Sequence, residues 1–371
     1  MERERIVNIK VAKKFFPNKA VIDTVRDAKN EYNERHDVLG DAFSCWNSLE
    51  DLRLKEKRHE RYVFGDQWGD RIVKYGVAMT EKANILLQGN VPLQNNRIRN
   101  IVRTVVGQFQ NNQTEPVCVS RERDEQEMGE TMSNTIQYVY QNNKMWGLDS
   151  LALYNLLISG IPAFRSEWGR REDRWDVWTD IIDLERLIID NDMKDPRGHD
   201  CRLVGALWDM GLNDVLAKFA TNEEERDKIL DIYNHVGMSS VFSEFTSRYT
   251  DRRDDLNFFV AENNQCRVIE VWRRESKERI ECWDTRSGDY FKVELEDINR
   301  IRQENQRRIS NYIKQGLEEE DYRLIKTRWF VDSYWYFYFL SPMGDVLKEG
   351  ETPYWHKSHP FSFKMYPQYN E

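Results

Sequence analysis

The sequence has no long hydrophobic run and few cysteines, and each shortage argues against a class of protein. No segment approaches the roughly 18 consecutive apolar residues that a membrane span requires. The first residues, MERERIVNIKVAKKFF, are charged and lack the apolar centre of a secretory signal peptide. The cysteines are odd in number and form no CxxC pair, so neither a disulfide framework nor a zinc site is indicated. A reducing, cytosolic folding compartment is therefore expected.

The sequence also lacks the short motifs of common catalytic sites. It contains no GxxxxGK[ST] or GxGxxG phosphate loop, no GxSxG nucleophile elbow and no HExxH helix. His356 and His359 stand three residues apart, but Pro360 follows directly and no third metal ligand is close in sequence. We therefore predict no cofactor and no metal.

The acidic segment LIIDNDMKDPRGHD offers the main enzymatic alternative. Four aspartates in it could bind Mg²⁺ or Ca²⁺, which prefer oxygen ligands, and could then serve a metal-dependent nuclease. The EF-hand spacing is not met, and aspartate beside proline or glycine is ordinary turn chemistry. A structural turn is therefore favoured. The four residues are Asp190, Asp192, Asp195 and Asp200.

Charge and aromatic content bear on the possible ligands. The net charge is −9, whereas proteins that hold nucleic acid tightly through its phosphates usually present a basic surface. Tight DNA binding is therefore not expected, although weak contact is compatible. The 12 tryptophans, 17 tyrosines and 17 phenylalanines suit cores and protein interfaces. A carbohydrate-binding module is the second alternative, and it requires exposed platforms at Trp68, Trp175 and Trp178.

Hydrophobic periodicity predicts several helices in the first half of the chain. One begins near Val38, continues into the charged run RLKEKRHER and ends near Gly65, before a polar, irregular stretch that reaches Gln94. The next begins at Asn95 or Asn96, carries an apolar stripe from Ile98 to Phe109, and contains Gly107, which we attribute to close packing. After a short strand, VCVS, a helix from Asp124 to Asn142 is expected to bury its apolar residues. These are Met128, Met132, Ile136, Val139 and Tyr140.

The rest of the chain reads as strands interrupted by helices. A helix ends at Gly160, the strands AFRSEW and RWDVWTDI follow, and Thr221 with Glu224 predicts a capping box. RVIEVWRRE and RIECWD alternate like a hairpin, and TRWFVD and YWYFYFL are two further strands. A polar helix from Leu295 to Leu317 carries a narrow stripe suited to contact with another subunit. That stripe is Ile298, Ile301, Ile309, Tyr312 and Ile313.

These elements predict an α+β fold of helical units and antiparallel sheet pieces. The expected organisation has four parts. Residues 1–65 form an N-terminal helical region, and residues 66–235 an α+β core. Residues 236–264 form a linker or flexible loop, and residues 265–371 form antiparallel sheet with one long helix.

Five motifs in order resemble the portal proteins of short-tailed bacteriophages. They are the corner YVFGDQWGD, the segment NVPLQNNRIRNIVRTVVGQFQNNQTEPVCVS, the join LLISGIPAFRSEW, the Asp-Pro loop IIDNDMKDPRGHD and the segment DMGLNDVLAKF. The resemblance covers Arg61 to Phe219, and RVIEVWRRE matches a later family strand. Its motif residues are Gly65, Asp66, Gln67, Trp68, Asn96, Gly107, Gly160, Asp195 and Pro196. The corner is expected to be structural, with Trp68 packed and Asp66 or Gln67 bonding the turn backbone.

The resemblance implies a structural protein without enzymatic activity. Portal proteins form a dodecameric ring at one capsid vertex, through which DNA is packaged and ejected, and the parts predicted here would belong to the portal body, wing and stem. Terminase, tail or adaptor and capsid proteins are the implied partners, with duplex DNA in weak contact and no membrane. The virion, and the host cytoplasm during assembly, are the implied locations. The family's chain continues beyond the segment that HPFSFKMYP matches, so the sequence is expected to be its N-terminal part.

Overall fold

The computed structural model describes most of the chain. The described residues are 37–74, 76–112, 114–122, 125–171, 173–190, 192–238, 257–261, 265–315 and 322–365. Most of the predicted linker, residues 236–264, lies outside them. None of the described helices is long and apolar enough to cross a bilayer.

The fold is α+β, as predicted, with helices and antiparallel strands in alternating groups. The helices are α1 (residues 37–48 of the described part), α2 (Glu50–Phe64), α3 (Glu81–Leu87), α4 (Arg97–Asn111), α5 (Gln126–Asn142), α6 (Met145–Ser159), α7 (Leu212–Phe219), α8 (Glu223–Met238) and α9 (Ile298–Lys314). The strands are β1 (Arg71–Lys74), β2 (Val77–Thr80), β3 (Ala163–Arg171), β4 (Arg174–Ile182), β5 (Leu187–Ile189), β6 (Leu203–Met210), β7 (Cys266–Asp284), β8 (Tyr290–Glu294), β9 (Ile325–Leu340), β10 (Val346–Glu351) and β11 (Phe361–Phe363).

The strands form three sheets. The largest has the order β10-β9-β7-β6-β5, with β8 paired to β7, while β11-β3-β4 and β1-β2 form the smaller ones. The described residues divide into two compact units, the first within Met1–Val271, Tyr338–Lys348 and Pro360–Glu371, the second within Trp272–Phe337 and Glu349–His359.

Two predicted strand pairs are single strands. RVIEVWRRE and RIECWD both belong to β7, and TRWFVD and YWYFYFL both belong to β9. The hairpin prediction was wrong because the polar residues 273–279 are exposed or half-buried parts of a continuous strand. They contain no glycine or proline, which are the residues that most often mark a turn.

Capping residues recognised in the sequence predict the ends of several helices correctly. Asn96 caps α4, with its Oδ1 accepting a hydrogen bond from the Arg99 amide at 3.0 Å. Gly160 ends α6 in the left-handed conformation, at a φ of 80°. The capping interaction before α8 differs from the prediction, because the Thr221 hydroxyl and amide both donate to Glu225 rather than Glu224.

Two other local predictions were wrong. The stretch before Gln94 is not irregular throughout, since it contains β1, β2 and α3, and the Thr80 hydroxyl caps α3 by accepting from the Ala83 amide at 3.2 Å. VCVS is not a strand, because its backbone bonds to a helix side chain instead of a neighbouring strand. The Ser133 hydroxyl on α5 accepts from the Cys118 amide at 2.9 Å and donates to the Cys118 carbonyl at 3.1 Å.

The core of the first unit lies around β5, β6 and the first part of β7. Residues of β5 and β6, such as Ile188 and Val204, are fully buried, and β5 pairs antiparallel with β6. A ring cluster borders this core, in which Phe258 contacts Phe43 and Trp46 at centroid distances of 5.3 and 5.6 Å. Phe258 lies within the predicted linker, so part of that segment is packed.

The core of the second unit is smaller. Ile280, Cys282 and Ile325 are buried in it, and four half-buried residues pack against them. Those four are Phe291, Val293, Ile298 and Ile301.

Candidate functional site: the motif corner and the assembly surfaces

The motif corner joins the end of α2 to the start of α4. Gly65 ends α2 with a φ of 102°, and a Cβ there would lie 2.7 Å from the Gln94 side-chain nitrogen. Asn96 reaches back, with its Nδ2 donating to the Val63 carbonyl at 2.7 Å while its Oδ1 caps α4. Gly65 and Asn96 therefore act together as a structural joint.

Asp70 is the carboxylate that accepts several side-chain hydrogen bonds at this corner. Its carboxylate accepts hydrogen bonds from Arg58 at 2.7 Å, Arg61 at 2.9 Å and Tyr62 at 2.7 Å. Burial opposes ionisation, but the hydrogen bonds from Tyr62 and Arg58 dominate and lower the pKa of Asp70. The prediction for this corner named Asp66 or Gln67, as residues that bond the turn backbone, and did not include Asp70. The repeated Gly-Asp pair in GDQWGD is the signal that could have pointed to Asp70.

Asp66 and Trp68 have packing roles in the same corner. The carboxylate of Asp66 lies over Gly69, where a Cβ would come within 2.2 Å of Oδ2. Trp68 is half-buried, and its ring nitrogen donates to the Leu93 carbonyl at 3.3 Å. A tryptophan held in this way is poorly suited to serve as an open sugar platform.

The other two predicted platform tryptophans do not share a surface. They are three residues apart on β4, so their side chains lie on opposite faces. Trp178 contacts the guanidinium groups of Arg171 and Arg174, each 5.5 Å from its ring centre. Trp175 is 60% exposed, and strand register puts it on the same face as Trp168, which is 59% exposed and was not predicted.

The acidic loop uses its aspartates to hold backbone. Asp200 accepts from the amides of Lys194 and Asp195 at 2.7 and 3.2 Å, and Asp195 accepts from the Arg197 amide at 2.9 Å. These hydrogen bonds lower the pKa of Asp200, and the side chain and backbone of Arg197 lower the pKa of Asp195. The Pro196 carbonyl accepts from the Met365 amide at 3.0 Å. In the described part of the chain, no three His, Cys, Asp or Glu side chains form a group that could hold a metal ion.

A second carboxylate group lies beside α2. Burial, together with the negative charges of Glu60, Glu185 and Asp183, raises the pKa of Glu56 from its ordinary 4.5 to about 7. One oxygen of Glu56 is buried without a hydrogen-bond partner. Lys57 pairs with Glu185 at 3.1 Å and offsets only part of the repulsion.

Glu56→Gln is expected to stabilise the protein at alkaline pH. Because the pKa of Glu56 is higher in the folded than in the unfolded chain, its stabilising contribution is complete below about pH 4.5 and is lost as the pH rises through about 7. At pH 8 the variant should unfold with a free energy about 1–2 kcal/mol higher than wild type, allowing for partial solvent screening. Urea unfolding at pH 4.5 and pH 8 measures this, with exposed Glu122→Gln as the control. An equal effect at both pH values would contradict the assignment.

Helices α4 and α5 present apolar side chains to solvent. Met128 and Met132, predicted to be buried, are 62% and 55% exposed, and Ile101 of α4 is 63% exposed. The prediction failed because α5 packs through its small residues. Gly129 and Ser133 lie against residues 118–120, where a Cβ on Gly129 would stand 3.1 Å from the Ser120 amide nitrogen.

Gly107 does not mark close packing, contrary to the prediction. A Cβ there would meet no atom within 4 Å, because the residue borders a cavity of about 420 Å³. The cavity is lined mainly by apolar and aromatic side chains, together with three polar residues of α4, Arg99, Arg103 and Gln110.

Most of the apolar stripe of α9 packs against residues of its own unit. Ile298 and Ile301 pack on the small core, Tyr312 stacks on Tyr322 at 5.4 Å, and Ile309 is half-buried. Only Ile313, at 62%, is mostly exposed. The proposed contact of this helix with another subunit stays a prediction.

The family model for phage P22-like portal proteins matches residues 40–370, which include the motif corner, α4, Gly160, the acidic loop and both units. A search of the curated proteins finds no match. Members of this family are structural components of the phage particle rather than enzymes. Since the match extends over most of its length, the chain belongs to the phage P22-like portal protein family.

Proposed function

We propose that the chain is a ring-forming subunit at one capsid vertex, where DNA enters during packaging and leaves during ejection. The family match over residues 40–370 carries the proposal. The exposed apolar faces of α4 and α5 support it, because contiguous exposed apolar surface on a folded chain commonly marks a protein interface. A dodecamer is the expected assembly, with terminase, tail or adaptor, and capsid proteins as partners in the virion and, during assembly, in the host cytoplasm.

The charge of the chain suits a passage for DNA. With a net charge of −9, the protein has little overall attraction for phosphates. Strong phosphate binding would retain DNA and slow its transit in both directions. A channel wall that binds DNA only weakly allows an external motor to move the DNA through it.

A structural role is also favoured over a nuclease. In the acidic loop, Asp190, Asp195 and Asp200 accept hydrogen bonds from backbone amides. Arg197 also pairs with Asp195. A metal-dependent nuclease would instead need these oxygens for Mg²⁺ or Mn²⁺. If incubation with these ions gave DNA cleavage that Asp192→Ala abolished, the nuclease alternative would replace the proposal.

Ring formation tests the proposal directly. The product of the intact reading frame should sediment as one large species near twelve subunits and show, in negative-stain electron microscopy, rings with a hole wide enough for duplex DNA. Monomers or dimers across the accessible concentration range would overturn it. The measurement should be made at low and high salt, because charged interfaces weaken as salt rises.

A further inference from the structure

Helices α4 and α5 carry opposite charge. Within its bounds α4 contains Arg97, Arg99 and Arg103 and no acidic residue, although the whole chain is acidic. Helix α5 contains Glu127 and Glu130 and no lysine or arginine. Opposite charge on two helices favours their approach and disfavours contact of either helix with its own copy.

Both helices leave an apolar stripe uncovered. On α4 the exposed fractions are 39% for Ile98, 63% for Ile101 and 36% for Val105, and Phe109 extends the stripe at 37%. Residues three and four apart lie on one face of a helix, so these side chains form a continuous ridge.

The stripe of α5 is widened by the segment beside it. The backbone of Cys118 bonds to the Ser133 hydroxyl of α5, and the neighbouring side chains of Val117 and Val119 are 65% and 85% exposed. Together with Met128 and Met132 they make a flexible apolar strip, and methionine adapts well to irregular partner surfaces.

The charges on these helices are not neutralised within the described part of the chain. There, no ion pair engages the arginines of α4 or the two glutamates of α5. Glu130 accepts only a long 3.4 Å hydrogen bond, from Gln126. Each helix therefore combines uncovered apolar surface with uncompensated charge of one sign.

We propose that α4 of one copy packs against α5 of the next copy around the ring, an inference that rests on the proposed ring. Such a head-to-tail contact uses two different surfaces of each chain and can close into a ring of many copies. The apolar stripes would meet at the centre, and the opposite charges of the two helices would attract each other across the contact. Contacts of α4 with α4 or of α5 with α5 would juxtapose like charges, which is costly.

Two charge-reversal variants test this pairing. The α4 variant is Arg97→Glu with Arg103→Glu, and the α5 variant is Glu127→Lys with Glu130→Lys; all four side chains are exposed in the single chain. Each variant alone should lose assembly, with at least about a tenfold rise in the subunit dissociation constant. Mixed in equal amounts they should assemble, because alternating copies restore opposite charge at every contact. A chain carrying all four substitutions should also assemble alone.

A matched control separates pairing from net charge. Arg226→Glu with Lys228→Glu on α8 changes the charge of the chain as much as the α4 variant does, at exposed positions. This control should assemble as wild type does. Far-UV circular dichroism and thermal unfolding establish that each variant is folded, and the neutral pair Arg97→Gln with Arg103→Gln should give an intermediate loss.

The outcomes separate the two proposals. If wild type forms rings and both reversals form them equally well, or if the mixture fails to assemble, the α4–α5 pairing is overturned while the ring stands. Assembly of the mixture that stops at two copies also overturns the head-to-tail contact. A wild-type chain that stays monomeric at low salt overturns both proposals.

Discussion

Glu270→Ala should lower the free energy of unfolding by about 3–5 kcal/mol, one of the largest effects expected from any single substitution in this chain. Glu270 is fully buried and accepts from Arg165 Nε at 2.8 Å, and Arg165 is itself only 3% exposed. The ring nitrogen of Trp208 donates to the same carboxylate at 2.8 Å. Removal of Glu270 leaves a buried guanidinium whose remaining acidic partner among the described residues is Glu167, and it leaves the Trp208 donor unsatisfied.

The electrostatic basis can be tested by removing both partners. Burial opposes the charge on Arg165, but the carboxylates of Glu270 and Glu167 outweigh it and raise the pKa of the guanidinium. The double variant Arg165→Met with Glu270→Met should therefore recover much of the loss, since neither charge remains unpaired. Unfolding in guanidinium chloride, followed by tryptophan fluorescence, is measured for wild type, Arg165→Met, Glu270→Met and the double variant. A double variant as unstable as the sum of the single changes would contradict this account.

Gly205→Ala should destabilise the protein by about 3 kcal/mol or more, at the upper end of overpacking effects. A Cβ at residue 205 would stand 2.1 Å from the Glu270 carbonyl oxygen and 3.2 Å from the Val271 Cα. These are backbone atoms of β7, the sheet neighbour of β6, so no side-chain rotation can relieve the clash. The two strands must separate, which also disturbs the Arg165–Glu270 pair. The loss of stability is measured as a lower denaturant midpoint of unfolding, and limited proteolysis of the variant should be faster than that of wild type.

Gly107→Ala is the matched control for the same chemical change. It adds a methyl group where no atom lies within 4 Å, in the middle of α4. Alanine costs less backbone entropy than glycine in a helix, so this variant should be stabilised by about 0.5–1 kcal/mol. If neither substitution changed the stability of the protein, the close approach of β6 to β7 would not explain why residue 205 is a glycine.

The outcome of the helix predictions shows how far local signals reach. The Asn96 cap and the Gly160 terminus were placed correctly, because a cap depends on hydrogen bonds to amides within one turn. Aspartate-rich turns were also recognised, since Asp195 and Asp200 bond backbone only a few residues away. The long strand β7 was divided wrongly because its exposed polar middle has no hydrophobic alternation to identify it. In β9 the division fell at Asp332 and Ser333, which are residue types common in turns.

By itself the sequence determined the α+β class, the capped helices, the turn in the acidic loop and the ordered motifs that resemble portal proteins, because these depend on neighbouring residues or on their order along the chain. Only the tertiary structure decided which partners meet across the fold. Arg165 and Glu270 are 105 positions apart, and nothing in the sequence pairs them. The tertiary structure likewise left the stripe of α4 and the methionines of α5 exposed. Periodicity defines the apolar side of a helix, but the packing of other elements decides whether that side is covered.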